Sequence, residues 1–215
     1  MKTAYVLSAI VALLLVGGGQ PQKKTWNFED AKVGKLPAGW SSAKTGKGPG
    51  SVWKVLEDKS APDGSKVLAQ TSSEGPNRSF NLCVADKKKY KDLDLRVSFK
   101  ANMGKLDQGG GPMWRYQDAN NYYICRMNPL EDNFRIYKVI AGKRIQLASL
   151  DVEALAGKWH TIRVKMRGTQ ISCSVNGKKL DARDGSIDRP GKIGLWTKSD
   201  AVTSFDNLAV SVPKQ

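Results

Sequence analysis

Side chains that could bind a polar ligand or carry out chemistry concentrate in one stretch of the chain, from Leu106 to Lys138. The stretch begins with a Gly-rich turn and continues with two runs of β-forming residues. Its candidate ligand-binding groups are Asp107, Gln108, Trp114, Arg115, Asn121, Arg126, Asn128, Glu131, Asn133 and Arg135. Charged, amide and aromatic side chains at this density are typical of a recognition site, so we predict the functional site here.

Two acidic residues of this stretch are the candidates for acid–base chemistry. Glu131 is favoured as a general acid or base because arginine and asparagine side chains neighbour it, and Asp107 is its expected partner. The alternative is that both are ordinary turn carboxylates in contact with solvent.

Strand periodicity predicts which of these side chains share a face. Alternation puts Arg115 opposite Trp114, and it puts Arg126 on the same face as Tyr122. We expect Arg115, Arg126 and Arg135 to form one basic patch, because a planar guanidinium suits a carboxylate, a sulfate or a vicinal diol. Each arginine could instead pair with a nearby acid on the sheet surface.

The rest of the chain reads as a β scaffold. Asp92 to Lys100 alternates apolar and polar residues, and hairpins are predicted across Ala141-Gly142-Lys143, Gly168-Thr169 and Asn176-Gly177. Asp151 to Gly157 is predicted as one short helix. About a dozen short strands with almost no helix predict an all-β, two-sheet antiparallel β-sandwich in a single domain.

The first residues have the pattern of an export signal. Lys2 precedes an apolar run from Ala4 to Val16, and small residues follow it. We predict a signal peptide over residues 1–22 and a mature domain over residues 23–215, in a secreted, periplasmic or cell-envelope location. The run is too short for a stable membrane span, and an uncleaved anchor is the alternative.

Net charge bears on the choice of partner. The formal charge of +15 is compatible with attraction to anionic polysaccharide, and the alternative is that the lysines only solubilise the surface. The cluster Lys87-Lys88-Lys89 lacks interleaved aromatic residues, so nucleic acid is not expected as a partner. We expect a monomer.

Cysteine, histidine and metal chemistry contribute little. Cys83, Cys125 and Cys173 lie in apolar runs without metal-ligand spacing and are expected to be buried and unpaired. His160, the only histidine, shares parity with core residues and is expected to be structural. No metal or cofactor is predicted at the site.

The two ends of the domain supply one candidate cation site. Glu29, Asp30, Asp206 and Asn207 would be neighbours if the first and last strands pair, and their oxygens suit a structural calcium ion. Turn capping by the same side chains is the alternative.

Several short motifs resemble those of a known superfamily. They are WNFED (26–30), LPAGW (36–40), KWHTI (158–162), VNGK (175–178), GLW (194–196) and FDNL (205–208). This pattern covers most of residues 24–212 and resembles the concanavalin A-like (laminin G-like) jelly rolls. Within that superfamily the chain is most similar to bacterial domains of the 3-keto-disaccharide hydrolase type.

The resemblance implies a jelly roll that contacts sugar on its concave face or one rim of it. Sugar recognition needs flat aromatic platforms, and the candidates, with Lys198 at the edge of the patch, are Trp114, Tyr116, Tyr122, Tyr123 and Trp196. The E-x-D-x-x-E pattern of family 16 glycoside hydrolases is absent from the sequence. Glycan binding is therefore the leading hypothesis. The alternatives are a 3-keto-disaccharide-type hydrolase or lyase, which could use a single base, and a basic adhesive envelope protein.

Overall fold

A computed structural model describes residues 23–213, which contain fifteen β-strands arranged in two antiparallel sheets. The first sheet contains β1 (Lys23–Trp26), β3 (Trp53–Glu57), β4 (Lys66–Gln70), β6 (Leu93–Met103), β11 (Trp159–Arg167), β12 (Gln170–Val175), β13 (Lys178–Arg183) and β15 (Val202–Ser211). The second contains β2 (Trp40–Thr45), β5 (Phe80–Tyr90), β7 (Gly111–Asp118), β8 (Asn121–Asn128), β9 (Asn133–Ile140), β10 (Lys143–Asp151) and β14 (Gly191–Lys198).

The strand order shows that each sheet is assembled from distant parts of the chain. The first sheet runs β13-β12-β11-β6-β15-β4-β3, with β1 also paired to β15. The second runs β10-β9-β8-β7-β14-β5-β2. The predicted two-sheet antiparallel sandwich is confirmed. Within residues 23–213 there is no helix long and apolar enough to cross a membrane.

The main core lies between the sheets and follows from strand alternation. In β6, Leu93, Leu95, Val97 and Phe99 are fully buried and face the second sheet, as the sequence pattern predicts. A second apolar layer, which we call the outer floor, covers the opposite face of the second sheet. It consists of Phe80, Leu82, Val84, Met113, Tyr122, Ile124, Tyr137, Val139 and Trp196.

The Gly-rich turn lets β7 enter between two neighbouring strands. A Cβ atom on Gly110 would lie 2.3 Å from the carbonyl oxygen of Trp196 in β14. A Cβ atom on Gly111 would lie 2.1 Å from the carbonyl oxygen of Cys125 in β8. Both separations are far below van der Waals contact, so only glycine permits this approach of the backbones.

The predicted hairpins are confirmed, and the predicted helix is wrong. Ala141-Gly142 and Asn176-Gly177 both have positive φ angles, as the tightest hairpin turns require. The segment after Asp151 is an irregular connection, because Val152 and Ala154 are buried against the core and Gly157 hydrogen-bonds to the carbonyl of Ala101. Tertiary burial here outweighs the local helix signals.

All three cysteines lie within the described residues and are buried and unpaired, as expected. His160 is half-buried at one end of the core, where its ring tilts against Phe99 at 5.6 Å between centroids. Its ring nitrogens hydrogen-bond with Asn176 Oδ1 and the carbonyl of Leu155. These contacts agree with a structural role.

Candidate functional site

The outer face of the second sheet carries a compact group of charged residues at the edge of the outer floor. Its members, which we call the polar cluster, are Asp107, Arg126, Asn128, Glu131, Asn133, Arg135 and Lys198. Strands β8, β9 and β14 and two loops, one before β7 and one between β8 and β9, supply these side chains. Alternation in β8 and β9 turns Arg126 and Arg135 outward, as predicted, because their neighbours Met127 and Phe134 fill the core.

Glu131 is the centre of the polar cluster. Its Oε2 atom accepts hydrogen bonds from Arg126 Nη2 at 3.0 Å, from Asn133 Nδ2 at 3.0 Å and from Arg135 Nη1 at 3.5 Å. Glu131 remains 38% exposed, whereas Arg126 is 1% exposed. The carboxylate is thus held rigidly while one side of it faces solvent.

Asp107 forms the second carboxylate site. Its side chain is 1% exposed and accepts hydrogen bonds from Lys198 Nζ at 2.6 Å and from Asn128 Nδ2 at 3.2 Å. The loop that carries it is fixed by Asp200, which accepts hydrogen bonds from the backbone N–H groups of Lys105, Leu106 and Asp107.

The two carboxyl groups are shifted in opposite directions. Burial raises the pKa of Asp107, and the charges of Arg126 and Lys198 only partly offset that effect. Burial also acts to raise the pKa of Glu131, but the hydrogen bond from Asn133 and the charge of Arg126 outweigh it, so the pKa is lowered. Opposed shifts of this kind are how active sites assign an acid and a base to two carboxyl groups.

Arg144 covers the outer floor next to the polar cluster. The carbon at the centre of its guanidinium lies 4.3 Å from the ring centroid of Tyr137, 5.3 Å from that of Phe80 and 5.7 Å from that of Trp196. These are cation–π distances. The arginine therefore occupies the aromatic surface that a flat ligand would need.

The structure brings together nine of the predicted site residues. Seven of them form the polar cluster, in which Arg126, Glu131, Asn133 and Arg135 make one hydrogen-bonded group and Asp107, Asn128 and Lys198 make another. Gln108 lies beside Asp107 and donates to the carbonyl of Gly104, and Trp196 lies below Arg144.

Trp114 and Arg115 are not part of this arrangement, and the predicted parity of β7 is wrong. Trp114 is buried between the sheets, where it stacks on Tyr123 and donates to Met166 Sδ at 3.0 Å. A bulge at Arg115, with φ of 46°, turns this arginine to the end of the sandwich. There it donates to the carbonyl oxygens of Lys91, Ile187 and Gly168. The predicted convergence of three arginines therefore fails for Arg115.

Asn121 and Tyr122 lie on β8 but away from the polar cluster. Asn121 is at the opposite end of the strand from Asn128, about 20 Å away at the usual rise per residue. It donates to Asp118 and accepts from the N–H of Ala141. Tyr122 belongs to the outer floor, is fully buried and shares a hydrogen bond with Thr45 Oγ1 at 2.8 Å.

The aromatic rings do not form exposed platforms. Trp196, like Tyr122, has no accessible surface, because Phe80 and Arg144 pack on it. Sequence reasoning also missed Arg144 and the contribution of Tyr137, whose ring lies 5.8 Å from the guanidinium of Arg126. Position in the β9–β10 hairpin is the one sequence signal that could have pointed to Arg144.

The acidic residues at the chain ends are largely satisfied by backbone donors. Because β1 pairs with β15, Glu29 does come near Asp206, as expected. Glu29 accepts from the N–H groups of Ser65 and Lys66, and Asp206 accepts from those of Asp63 and Asn207. Within residues 23–213, no group of three or more His, Cys, Asp or Glu residues is arranged to hold a metal ion.

A large surface cavity lies elsewhere. It measures about 720 Å³ and is on the first sheet, between β6, β11, β12 and β13. Its lining includes Asp94, Lys165 and Asp181 but no aromatic ring. We favour the polar cluster as the functional site, because buried and mutually fixed charged groups indicate recognition better than the size of an open groove.

Solved structures with the same fold include a carbohydrate-binding module, a domain of an arabinanase and a putative glycosyl hydrolase. The carbohydrate-binding module CBM66 from Bacillus subtilis aligns with a TM-score of 0.64 and 16% identity, over 80% of this chain and 95% of that one. Domain 4 of AbnA, a GH43 extracellular arabinanase from Geobacillus stearothermophilus solved with arabinotriose, aligns with a TM-score of 0.55 and 9% identity, over 87% and 90% of the two chains. A putative glycosyl hydrolase from Parabacteroides distasonis aligns with a TM-score of 0.53 and 17% identity, over 88% and 100%.

At these identities the similarity establishes the fold, and it confirms the jelly-roll resemblance read from the sequence. No curated protein shows significant sequence similarity to the chain. The model of the 3-keto-alpha-glucoside-1,2-lyase-like domain matches residues 26–211, which is nearly all of the described structure. The chain therefore belongs to the 3-keto-alpha-glucoside-1,2-lyase-like domain family.

Proposed function

We propose that this domain binds carbohydrate through the polar cluster, outside the cytoplasm. The observation that carries the proposal is the pair of carboxylates, Glu131 and Asp107, held among cationic side chains beside an aromatic floor. Sugar hydroxyls both donate and accept hydrogen bonds. Acceptors and donors fixed side by side can therefore receive them in a defined orientation.

Preorganisation supports this proposal. The Arg126 side chain is buried and bonded to Glu131, Asn133 and Tyr137, so it loses little conformational freedom when a ligand binds. Arg135 and Lys198 remain 30% and 13% exposed and can supply further donors. A ligand would thus meet groups already in place.

The structural neighbours give independent support. One is described as a carbohydrate-binding module, and another was solved with arabinotriose and is described as part of an extracellular enzyme. Such similarity does not identify the sugar, because one fold hosts many functions. The choice of site therefore rests on the polar cluster.

A second candidate function is a lyase acting on 3-keto-glycosides, and the opposed pKa shifts of the two carboxyl groups favour it. A ketone at C3 acidifies the C2 proton. Glu131, an ionised and partly exposed carboxylate, is the candidate to remove that proton. The C1–O bond then breaks, and the departing oxygen takes a proton from an acid. Asp107 is the candidate, and because its side chain is 1% exposed it must be uncovered before it can reach the substrate. The cationic groups around them would stabilise the enolate charge.

Two assays on the purified protein test these functions. A glycan array measures saturable binding, and a turnover assay with 3-keto and unmodified disaccharides, with and without EDTA, measures release of free sugar. We expect saturable binding to at least one glycan. If the wild-type protein releases free sugar and Glu131→Gln abolishes that release, the lyase becomes the better-supported function. If the protein shows neither binding nor turnover, carbohydrate is overturned as the ligand. A basic adhesive surface is then left as the explanation.

A further inference from the structure

Arg144 is a half-buried cation without a counter-ion. It extends from β10, an edge strand, and the central carbon of its guanidinium lies within 5.7 Å of the centroids of three aromatic rings of the outer floor. Among the residues described, 23–213, no carboxylate lies within ion-pair distance of it. Aromatic faces are weak substitutes for a carboxylate, so the charge is poorly compensated.

Two buried N–H donors near Tyr137 also lack acceptors. They are Nη1 of Arg144 and Nε of Arg126, and neither has a hydrogen-bond partner among the described residues. Both guanidinium groups pack on the same ring, at 4.3 and 5.8 Å from its centroid. An unsatisfied buried donor costs about 1–3 kcal/mol, so two of them at one place call for an explanation.

The site also carries an excess of positively charged side chains. Arg126, Arg135, Arg144 and Lys198 carry four positive charges, against at most two negative charges on Asp107 and Glu131. Burial lowers the pKa of Arg144, and the charge of Arg126 also lowers it, while Tyr137, Asp107 and Glu131 offset these effects only in part. The excess of cationic side chains and the two unpaired donors are the observations that point to an anionic ligand.

We propose that the site takes an acidic sugar, whose carboxylate is accepted by Arg144 and Arg126. The inference rests on the proposed carbohydrate binding and specifies the class of glycan, a polymer or oligomer that contains uronic acid. A carboxylate matches the planar fork of a guanidinium and satisfies two donors at once. Because Nη1 lies against the rings, binding requires the Arg144 side chain to lift from them, which a long side chain on an edge strand can do without moving the sheet.

The test compares acidic and neutralised forms of the same glycans. Isothermal titration calorimetry of the purified protein is carried out with oligogalacturonate, with hyaluronate oligosaccharides and with the methyl esters of both. Arg144→Met removes the charge but keeps an unbranched chain over Tyr137. Arg163→Met is the matched control, because it removes the same charge from the outer face of the first sheet, where Arg163 pairs with Asp94. Thermal unfolding verifies that each variant folds.

We expect at least one acidic oligosaccharide to bind at least about tenfold more tightly than its methyl ester. The ester cannot form the charge-assisted hydrogen bonds that a carboxylate makes with a guanidinium. Arg144→Met should remove that preference, and Arg163→Met should retain it. Equal affinity for acid and ester, or an equal loss in both variants, would overturn the inference. Binding of neutral glycans alone would overturn it while leaving the proposed function in place. Failure of every glycan to bind would overturn both.

Discussion

Arg126 donates from Nη2 to Oε2 of Glu131 at 3.0 Å, and this bond joins a fully buried cation to a carboxylate that solvent can reach. The buried partner is further fixed by Asn133 and Tyr137. Glu131 is consequently the one carboxylate of the polar cluster that is both immobilised and open to a ligand. It therefore has two roles, as the counter-ion of Arg126 and as a ligand-facing group.

Replacing Glu131 by Gln should affect chemistry far more than binding. The substitution keeps the shape but removes the base, so any turnover of 3-keto-glycosides should disappear, while glycan affinity should change by less than about tenfold. Loss of the counter-ion to Arg126 should lower the free energy of unfolding by about 1–3 kcal/mol. Glu153→Gln, an exposed site, is the control. Turnover that survives in Glu131→Gln would exclude this residue as the base.

Arg115 should prove structural. It is 1% exposed and donates to three carbonyl oxygens at the end of the sandwich. Arg115→Met leaves those acceptors unpaired, so we expect urea denaturation to report a loss of about 3 kcal/mol or more. Glycan affinity of the folded variant should equal that of the wild type. A selective loss of affinity with unchanged stability would return Arg115 to the binding site.

Asp206 should make stability fall between pH 4 and 6. It is fully buried, and burial raises its pKa to about 6 from 3.8, helped by the neighbouring charges of Asp63 and Glu29. The folded state therefore holds the proton more tightly than the unfolded state. The contribution of Asp206 to stability is complete below about pH 4 and is lost as the pH rises through 6.

Asp206→Asn should remove this pH dependence. Relative to the wild type, the variant should gain about 1–3 kcal/mol in free energy of unfolding between pH 4 and 7, because it never ionises. Urea titrations at pH 4, 5, 6 and 7 measure the difference, with the exposed Glu57→Gln as control. A difference that does not change with pH would contradict the assignment.

The three cysteines should be inert in the native protein. Each is buried and unpaired, and burial raises the pKa values of Cys83 and Cys125. Because the thiolate is the reactive form, a thiol reagent such as DTNB should label none of them without denaturant and all three in guanidinium chloride. Rapid labelling of the native protein would show that the sheets open locally around these strands.

Local patterns determined much of the architecture. Alternation identified the core face of β6, and the residues Asn176-Gly177 and Ala141-Gly142 predicted tight hairpins, because side-chain period and turn chemistry are properties of neighbouring residues. The same alternation correctly turned Arg126 and Arg135 outward on β8 and β9. The short motifs shared with the superfamily predicted the jelly-roll fold.

Tertiary structure alone decided which of these side chains meet. One bulge at Arg115 removed it from the site and shifted the parity of β7, and a bulge depends on the pairing of strands rather than on the local sequence. Lys198 reaches Asp107 across 91 positions of sequence, and Arg144 reaches Trp196 from the edge of the sheet. Such contacts depend on strand order and register, which a single sequence does not encode in any local pattern. The residue types could therefore be read from the sequence, but their convergence followed from the fold.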